Sequence, residues 1–130
     1  MKVQISGSIN NSDGKFQFYL DSKETENLNM QKSYLVAGKR IFIHIDGEIS
    51  KLSNKIKSIS KEYKSLNEKI AYLYSINFNF ESHICGSFNI FLYDYSRKKL
   101  KITRDTRGTR SLYYANTPND FIFSSNQETI

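Results

Sequence analysis

The stretch GSFNIFLYD, residues 86–94, decides the fold. Its aromatic and aliphatic side chains fall at both odd and even positions, a pattern that predicts a strand buried on both faces. The polar residues 94–98 predict a turn into a second strand at 100–103. Two further strands, 112–115 and 121–124, are predicted to form a hairpin around an Asn- and Pro-containing turn. We therefore expect the last third of the chain to be a β-meander.

Strands are also predicted in the first half of the chain, at residues 3–9, 15–20, 34–37 and 40–45. In the second of these, Phe16, Phe18 and Leu20 alternate with polar or tyrosine positions and share one face. In the last of them, the three isoleucines share one face, whereas Phe42 and His44 share the other. The first half therefore supplies strands with distinct apolar faces.

Between the two groups of strands, the spacing of apolar residues predicts one long helix. The stripe advances by three or four residues at each step through Leu52, Ile56, Ile59, Tyr63, Leu66, Ile70 and Leu73. Ser50 is the predicted N-cap, and the span 50–74 would be roughly 37 Å long at about 1.5 Å per residue. We expect the stripe to lie on a sheet rather than on a partner helix. Strands, one dominant helix and strands again predict the α+β class.

The composition bounds the size and class of the protein. With 130 residues and 38% hydrophobic content, we expect a single domain over residues 1–130. The lone cysteine, Cys85, excludes an internal disulfide and a cysteine-based zinc finger. No apolar run approaches the roughly 20 residues that span a bilayer, and the polar start lacks a signal-peptide core. We expect a cytoplasmic protein that does not contact membranes.

The chain is basic, with 19 Lys and Arg against 13 Asp and Glu, a formal charge of +6. Most of the excess lies in two stretches, 51–69 and 97–110. Such stretches can attract nucleic acid or an acidic partner. Because Lys, Asn and Ile are abundant throughout, a solvated surface is the favoured interpretation.

Four motifs follow one another in the last third: GSFNIFLYD (86–94), LKITRDTRG (100–108), LYY (112–114) and FIFSS (121–125). Upstream lie ISGSI (5–9) and IHIDGEI (43–49). Together they resemble the glutaminase domain, a class II glutamine amidotransferase, of asparagine synthetases, whose corresponding strand reads G-x-F-A-F-x-L-x-D. Lasso-peptide cyclases and β-lactam synthetases have N-terminal domains of similar pattern. The resemblance implies a trimmed Ntn-hydrolase-like αββα sandwich, with two mostly antiparallel sheets and one long helix.

Active members of that family use a cysteine at the mature N-terminus, whose thiolate attacks the glutamine amide while donors stabilise the oxyanion. By resemblance, the position of that cysteine is Val3, which has no nucleophilic atom. The oxyanion positions are Asp46, where the family has Asn, and Gly47. The R-G-P-D and S-D-x-E segments that hold the substrate in the family have no counterpart here. These losses imply a catalytically degenerate domain, and we expect no catalytic residue and no metal site.

The segment Arg104-Asp105-Thr106-Arg107-Gly108 predicts a structural corner. A strand that stops and turns sharply favours an Asp that caps the turn and a Gly that accepts a positive φ. We expect Arg104 to pair with a carboxylate at this corner. An alternative is that Arg104, Arg107 and Arg110 bind an anion.

These observations favour a structural or protein-interaction module for an ATP-dependent, amide-forming ligase, for example in peptide natural-product biosynthesis. We expect no cofactor, because the chain has no Gly-rich phosphate-binding loop. One alternative is a single-stranded nucleic-acid-binding β-domain that uses Tyr19, Tyr95, Tyr113 and Tyr114. Another is an amidohydrolase with an unrecognised nucleophile, for which Cys85 near His83 is the candidate.

The expected partner is a ligase or synthetase domain, a second copy of this chain or a precursor peptide, and not nucleic acid. Two apolar surfaces are available for it: the strand edge around Leu112, Tyr113 and Tyr114, and any uncovered part of the helical stripe. We favour the strand edge, because a helix stripe on such a sheet is needed for the core.

Overall fold

The computed structural model describes residues 4–20, 23–24 and 33–126. In these ranges the chain forms nine strands, which are β1 (Ile5–Asn10), β2 (Phe16–Leu20), β3 (Lys23–Glu24), β4 (Ser33–Val36), β5 (Lys39–Leu52), β6 (Ile84–Asp94), β7 (Lys99–Arg104), β8 (Tyr113–Asn116) and β9 (Asp120–Ser124). Two α-helices, α1 (Asn54–Ile59) and α2 (Leu66–Ser75), and a 3₁₀ turn at Phe80–His83 lie between β5 and β6.

The strands form two antiparallel sheets. One has the order β3-β2-β1-β9-β8 and the other the order β4-β5-β6-β7. The predicted hairpin of β8 and β9 is confirmed. The prediction of one continuous β-meander is wrong, because β6 and β7 pair in one sheet while β8 and β9 pair in the other. The loop 105–112 therefore carries the chain from one sheet to the other.

Aromatic side chains fill the space between the sheets. The buried members are Ile5, Phe16, Phe18, Phe42, Phe91, Tyr93 and Phe123. Phe18 packs between the two sheets, with its ring 5.0 Å from Phe42 and 5.7 Å from Phe91. Phe16 stacks on Tyr93 at 4.5 Å. Each such ring pair contributes about 0.5–1.5 kcal/mol beyond its buried area, so this layer holds the two sheets together.

The other faces of β5 and β6 pack against the helices. Ile41, Ile43, Ile90 and Leu92 belong to a second core together with Ile56, Ile70, Ala71 and Leu73. The strand 86–94 is therefore buried on both faces, as its sequence predicts. The predicted division of the strand 40–45, isoleucines on one side and Phe42 on the other, is confirmed as well. The described residues form an α+β, two-sheet sandwich with helices on one sheet.

The prediction of a single helix over 50–74 is wrong. Strand β5 continues through Lys51 and Leu52, which pair with β6, so the first helix begins only after the N-cap Ser53. It ends at Ser60, whose hydroxyl donates to the Ile56 carbonyl oxygen and competes with the helical ladder. A second N-cap, Ser65, then starts α2 by accepting a hydrogen bond from the Glu68 N–H at 3.1 Å. The regular spacing thus spans a strand end, two helices and a turn.

The predicted turn at 94–98 is confirmed, and Asp94 organises it. Its carboxylate is fully buried and accepts hydrogen bonds from Tyr74 Oη at 3.0 Å, from Ser96 N and Oγ at 3.0 and 2.7 Å, and from Arg97 N at 3.3 Å. Burial alone would raise the pKa of the Asp94 carboxyl, but these hydrogen bonds outweigh it and hold the pKa below its ordinary value. The turn is therefore tied to helix α2 through a buried charge.

Within the described ranges, none of the helices combines the length and the apolar character that a transmembrane crossing requires.

Candidate functional site

A cleft of about 350 Å³ opens where β1 begins, at the end of the sandwich. It is lined by Gln4, Asp46, Thr109, Arg110, Ser111, Ser125 and Asn126. Three parts of the fold meet here: the start of β1, the middle of β5 and the two loops that flank the hairpin of β8 and β9. Val3, the predicted nucleophile position, lies outside the described residues, and Gln4 directly follows it.

The first strand is anchored at the cleft by Ser125. Ser125 Oγ accepts a hydrogen bond from the Ile5 N–H at 2.9 Å, and the Ser125 N–H donates to the Ile5 carbonyl oxygen at 2.8 Å. Because Ile5 is fully buried in the core between the sheets, the position of the residues next to it is fixed by packing as well as by these bonds.

The predicted oxyanion residues Asp46 and Gly47 are neighbours on β5, and Asp46 forms part of the cleft wall. Gly47 has a φ of +109°, a backbone conformation that residues other than glycine rarely adopt. A Cβ at this position would also collide with the Ser87 carbonyl oxygen and would lie 2.7 Å from Arg110 Cδ. Glycine is therefore required here both by conformation and by the close approach of the Ser87 carbonyl oxygen.

Arg110 is the charged partner of Asp46. Its Nη2 donates to Asp46 Oδ1 at 3.2 Å, with the side chains 36% and 16% exposed, respectively. The arginine stem crosses the Gly47 backbone on its way to the carboxylate. Asp46 and Arg110 thus neutralise each other at the wall where an oxyanion site is expected.

Asp105 holds the loop that carries Arg110. Its carboxylate accepts from the Phe88 N–H at 3.3 Å, from the Thr109 N–H at 3.3 Å and from Thr109 Oγ1 at 3.1 Å. Burial opposes ionisation, but these hydrogen bonds lower the pKa of the Asp105 carboxyl below its ordinary value. Gly108 follows with a φ of +58°. The geometry matches the predicted corner, an Asp that caps and a Gly that turns.

Among the described residues, Arg104 contacts carbonyl and amide oxygens and no carboxylate, so the expected pairing with a carboxylate is not found there. Its Nε donates to Asn89 Oδ1 at 3.2 Å, and its Nη2 donates to the carbonyl oxygens of Gly108 and Arg110. The fully buried Asn89 in turn donates from Nδ2 to the Ser111 carbonyl oxygen at 3.3 Å. This network fixes the whole 105–111 loop against β6, and the loop in turn presents Arg110 to the cleft.

The cleft offers hydroxyls, amides and one neutralised ion pair. In the described part of the chain there is no group of three or more His, Cys, Asp or Glu residues that could hold a metal ion. The other nucleophile candidate, Cys85, is an exposed residue of β6 that pairs with Lys51. His83 Nδ1 is 3.0 Å from Ser53 Oγ, at the start of α1. Neither Cys85 nor His83 is among the residues that line the cleft.

Leu112, Tyr113 and Tyr114, the predicted interface residues, lie at the edge strand β8 and just before it. Leu112 is half-buried against the aromatic core, Tyr113 is 38% exposed and Tyr114 is 67% exposed. Successive residues of a strand point to opposite faces, so the two tyrosines do not share one surface. Tyr114 opposes Phe123 and therefore lies on the inner face of its sheet, where its ring stacks at 5.8 Å on Phe121.

The tyrosines of the nucleic-acid alternative are placed apart. Tyr95 packs edge-on against Tyr93 beside the aromatic core. Tyr19 lies on β2, which β1 and β9 separate from β8. Stacking platforms for single strands need aromatic side chains on adjacent strands of one face, and these four residues do not provide that arrangement.

The roles of two residues, Arg110 beside Asp46 and Asn89 beneath the 105–111 loop, were not predicted from the sequence. The contact between Asp46 and Arg110 joins residues 64 positions apart, and only the tertiary fold brings them together. Asn89 carried a weak signal, since an amide within an otherwise apolar buried strand needs hydrogen-bond partners.

A family model described as a glutamine amidotransferase domain matches residues 29–130. The match includes Asp46, Gly47, the 105–111 loop and strand β8, whereas β1 and β2 precede it. Neither the curated proteins nor the solved structures gave a match.

Proposed function

The chain belongs to the glutamine amidotransferase domain family, and on this premise we propose that it is a catalytically degenerate member of the asparagine-synthetase type. In this proposal the domain has the Ntn-hydrolase-like sandwich of that type but does not release ammonia. It serves as a structural or protein-interaction module for an ATP-dependent ligase that forms amide bonds, for example in peptide natural-product biosynthesis.

The nucleophile position supports this proposal first. Hydrolysis of the glutamine amide by this family type requires a thiolate that forms a covalent intermediate. Val3 occupies that position by resemblance, and valine has neither a lone pair nor an ionisable proton. The Thr109 hydroxyl of the cleft does contact a carboxylate, that of Asp105, at 3.1 Å. Because hydrogen bonds hold the pKa of the Asp105 carboxyl below its ordinary value, this carboxylate is a weak base for activating a hydroxyl.

The ion pair between Asp46 and Arg110 is the observation that carries the proposal. In active members the Asn amide donates to the developing oxyanion, whereas the Asp46 carboxylate can only accept and would repel it. Loss of a single oxyanion donor lowers kcat by about 10²–10³. Arg110 does not compensate, because its guanidinium already binds the Asp46 carboxylate at 3.2 Å and its stem covers Gly47.

The rest of the architecture supports a retained structural role. The corner formed by Arg104, Asp105 and Gly108 keeps a full set of hydrogen bonds, and both cores are densely packed around β5 and β6. A hydrogen-bonded frame of this kind beside an ion-paired cleft fits a domain whose surfaces matter more than its cleft.

The partner in this proposal is the ligase or synthetase domain itself, with self-association and a precursor peptide as the other two candidates. The proposed contact is the edge strand β8 together with Leu112 just before it, which a partner would approach along the edge so that Tyr113 and Tyr114 contribute from opposite faces. The double substitution Tyr113→Ser/Tyr114→Ser should weaken partner binding or self-association without unfolding the domain. Circular dichroism serves as the control, since an unfolded double variant would place these tyrosines in the core and remove this surface from the proposal.

Restoring the nucleophile tests the proposal. A chain that begins with cysteine at position 3 (Val3→Cys after removal of the first two residues) should release no more ammonia from glutamine than the matched Val3→Ala chain. The reason is that the substrate-holding segments and the Asn at position 46 are absent as well. Ammonia release well above the alanine control would overturn the proposal, because the remaining cleft would then be competent.

A further inference from the structure

The strand β7 has a free backbone edge. One side of β7 pairs with β6, and none of the described residues pairs with its other side. The Asp105 N–H donates to the Phe88 carbonyl oxygen at 3.1 Å, which sets the alternation of the antiparallel ladder. By that alternation the peptide groups of Lys101 and Thr103 face β6, whereas those of Leu100 and Ile102 face away from it. The free edge therefore presents unpaired donors and acceptors in strand geometry.

An apolar cleft lies directly beside this edge. Ile9, Leu100, Ile102 and Phe121 line it together with Lys98 and Lys99, and its volume is about 350 Å³. It is the open side of the core between the two sheets, since the four apolar residues pack against that core. The cleft offers room for apolar side chains that arrive from outside.

The five-stranded sheet extends beyond the four-stranded one at this side. Tyr114 of β8 lies on the inner face of its sheet, next to Phe121, and yet is 67% exposed. An inner-face aromatic ring with this exposure means that no strand among the described residues covers it from the opposite sheet. Phe121, on which this ring stacks, also lines the cleft beside β7, so a strand added to β7 would reach the ring.

We propose that the free edge of β7 binds an extended segment of a partner protein in which apolar residues alternate with acidic ones. The backbone of this segment pairs with Leu100 and Ile102, and its apolar side chains fill the cleft and cover Tyr114. Its acidic side chains lie on the other face, where Lys99 alternates with Leu100 along β7. Lys98, which precedes the strand and lines the cleft, adds positive charge at the same end. This is β-strand addition, in which main-chain pairing gives affinity and alternate side chains give specificity.

Charge complementarity selects this occupant over a second copy of the chain. Lys98 and Lys99 are both exposed. Pairing β7 with β7 of another molecule would bring two lysine-rich strands side by side, and like charges on neighbouring strands are destabilising. The formal charge of +6 opposes self-pairing further and attracts an acidic segment.

This inference rests on the proposed interaction role and adds to the edge at β8 a second edge, that of β7, with the partner chemistry for it. The two are separable by experiment, because ammonia release reports on the degenerate cleft at Asp46, whereas peptide binding reports on β7. A protein that hydrolyses glutamine and also binds the peptide would contradict only the proposed function. A protein that does neither would contradict only the present inference.

The test uses the unmodified protein and a fluorescently labelled octapeptide in which Glu alternates with Ile or Val. Anisotropy should show saturable binding that weakens with added salt, and the same peptide with Lys in place of Glu should not bind. The double variant Lys98→Glu/Lys99→Glu should bind at least about tenfold more weakly. Lys57→Glu/Lys61→Glu, a matched charge reversal at exposed lysines in and just after α1, should bind within about twofold of the unmodified protein.

Backbone pairing is tested with N-methylated peptides, which leave the protein unchanged. Methylation of alternate amides on one edge of the octapeptide should reduce binding more than about tenfold, and methylation on the other edge should not, because only one edge faces β7. Equal effects of the two methylations, or no saturable binding of the unmethylated peptide, would overturn the inference. Concentration-dependent dimers in sedimentation that Lys98→Glu/Lys99→Glu alters would overturn it in favour of a second copy.

Discussion

The contact between Asp46 and Arg110 can be measured by a double-mutant cycle. The single substitutions are Asp46→Asn and Arg110→Gln, which keep the side-chain sizes close to the originals and remove one charge each. The double variant removes both. The cycle isolates the coupling free energy between the two charged side chains. This coupling is what holds Arg110 over Gly47.

The expected magnitude follows from the geometry. Two unit charges at the observed 3.2 Å attract by about 5 kcal/mol at an effective dielectric constant of about 20. The side chains are 36% and 16% exposed, so solvent screening and the ordering of the arginine stem remove most of this attraction. We expect a net coupling of about 1 kcal/mol, in the upper part of the range for solvent-accessible pairs, because the bond is charge-assisted.

Urea unfolding followed by circular dichroism gives the free energy of unfolding for the four proteins at neutral pH. The coupling should fall when the ionic strength is raised, whereas the m-value should remain constant across the four proteins. A coupling below about 0.3 kcal/mol would refute the reasoning, because the arginine would then be free to leave Asp46. In that case Arg110 could serve an incoming anion, and the argument for a neutralised cleft would fail.

Three further predictions concern stability and are read by urea unfolding. Gly47→Ala should lower the free energy of unfolding by about 3 kcal/mol or more, since φ is +109° and a Cβ meets a carbonyl oxygen; a loss below about 1 kcal/mol would contradict the geometry. Ile56→Ala should cost about 2–4 kcal/mol and Ile59→Ala less than about 1 kcal/mol, because the side chains are 0% and 38% exposed; equal losses would favour the continuous helical stripe. The lowered pKa of Asp94 contributes stability that is fully present above the unfolded-state pKa of about 3.9 and is lost as the pH falls through the lower folded-state pKa. Asp94→Asn should therefore flatten the acid dependence below about pH 4, and an unchanged dependence would show that other carboxyls cause it.

The strands could be predicted because the order of their apolar and polar side chains fits only a strand. Phe16 and Phe18 both become buried only if they share the inner face of a strand, because they are two residues apart. The apolar residues at successive positions within 86–94 require a strand that is buried on both faces. The glutamine amidotransferase assignment followed from motifs at strand ends and corners, such as Asp105 and Gly108, where backbone geometry restricts the choice of residue.

The helical region was predicted incorrectly because apolar residues spaced by three and four can also lie on a strand end and two short helices separated by a turn. Ile59 continues the stripe in sequence, yet it lies at the end of α1 and faces solvent. The breaks come from Ser53, Ser60 and Ser65, whose side chains cap backbone groups, and serine within a helical pattern gives only a weak stop signal. Local capping thus outweighed the periodic pattern.

Sheet membership and the site contacts depend on the tertiary fold. The hairpin of β8 and β9 was predictable, but its pairing with β1 joins residues more than 100 positions apart. The same holds for Asp46 and Arg110, which meet only because the 105–111 loop is bound to β6 by Asn89 and Asp105. Sequence patterns report local geometry, and these contacts have no local signature.

Ammonia release from glutamine by the unmodified chain tests the central claim most directly. In a coupled assay with glutamate dehydrogenase, we expect the rate to equal that of glutamine alone at every protein concentration, with an active glutaminase as the positive control. Saturation of the assay with substrate removes weak binding as an explanation for a low rate. A rate that rises in proportion to protein concentration and is lost in the Asp46→Ala variant would contradict the account, because the cleft would then be an active site.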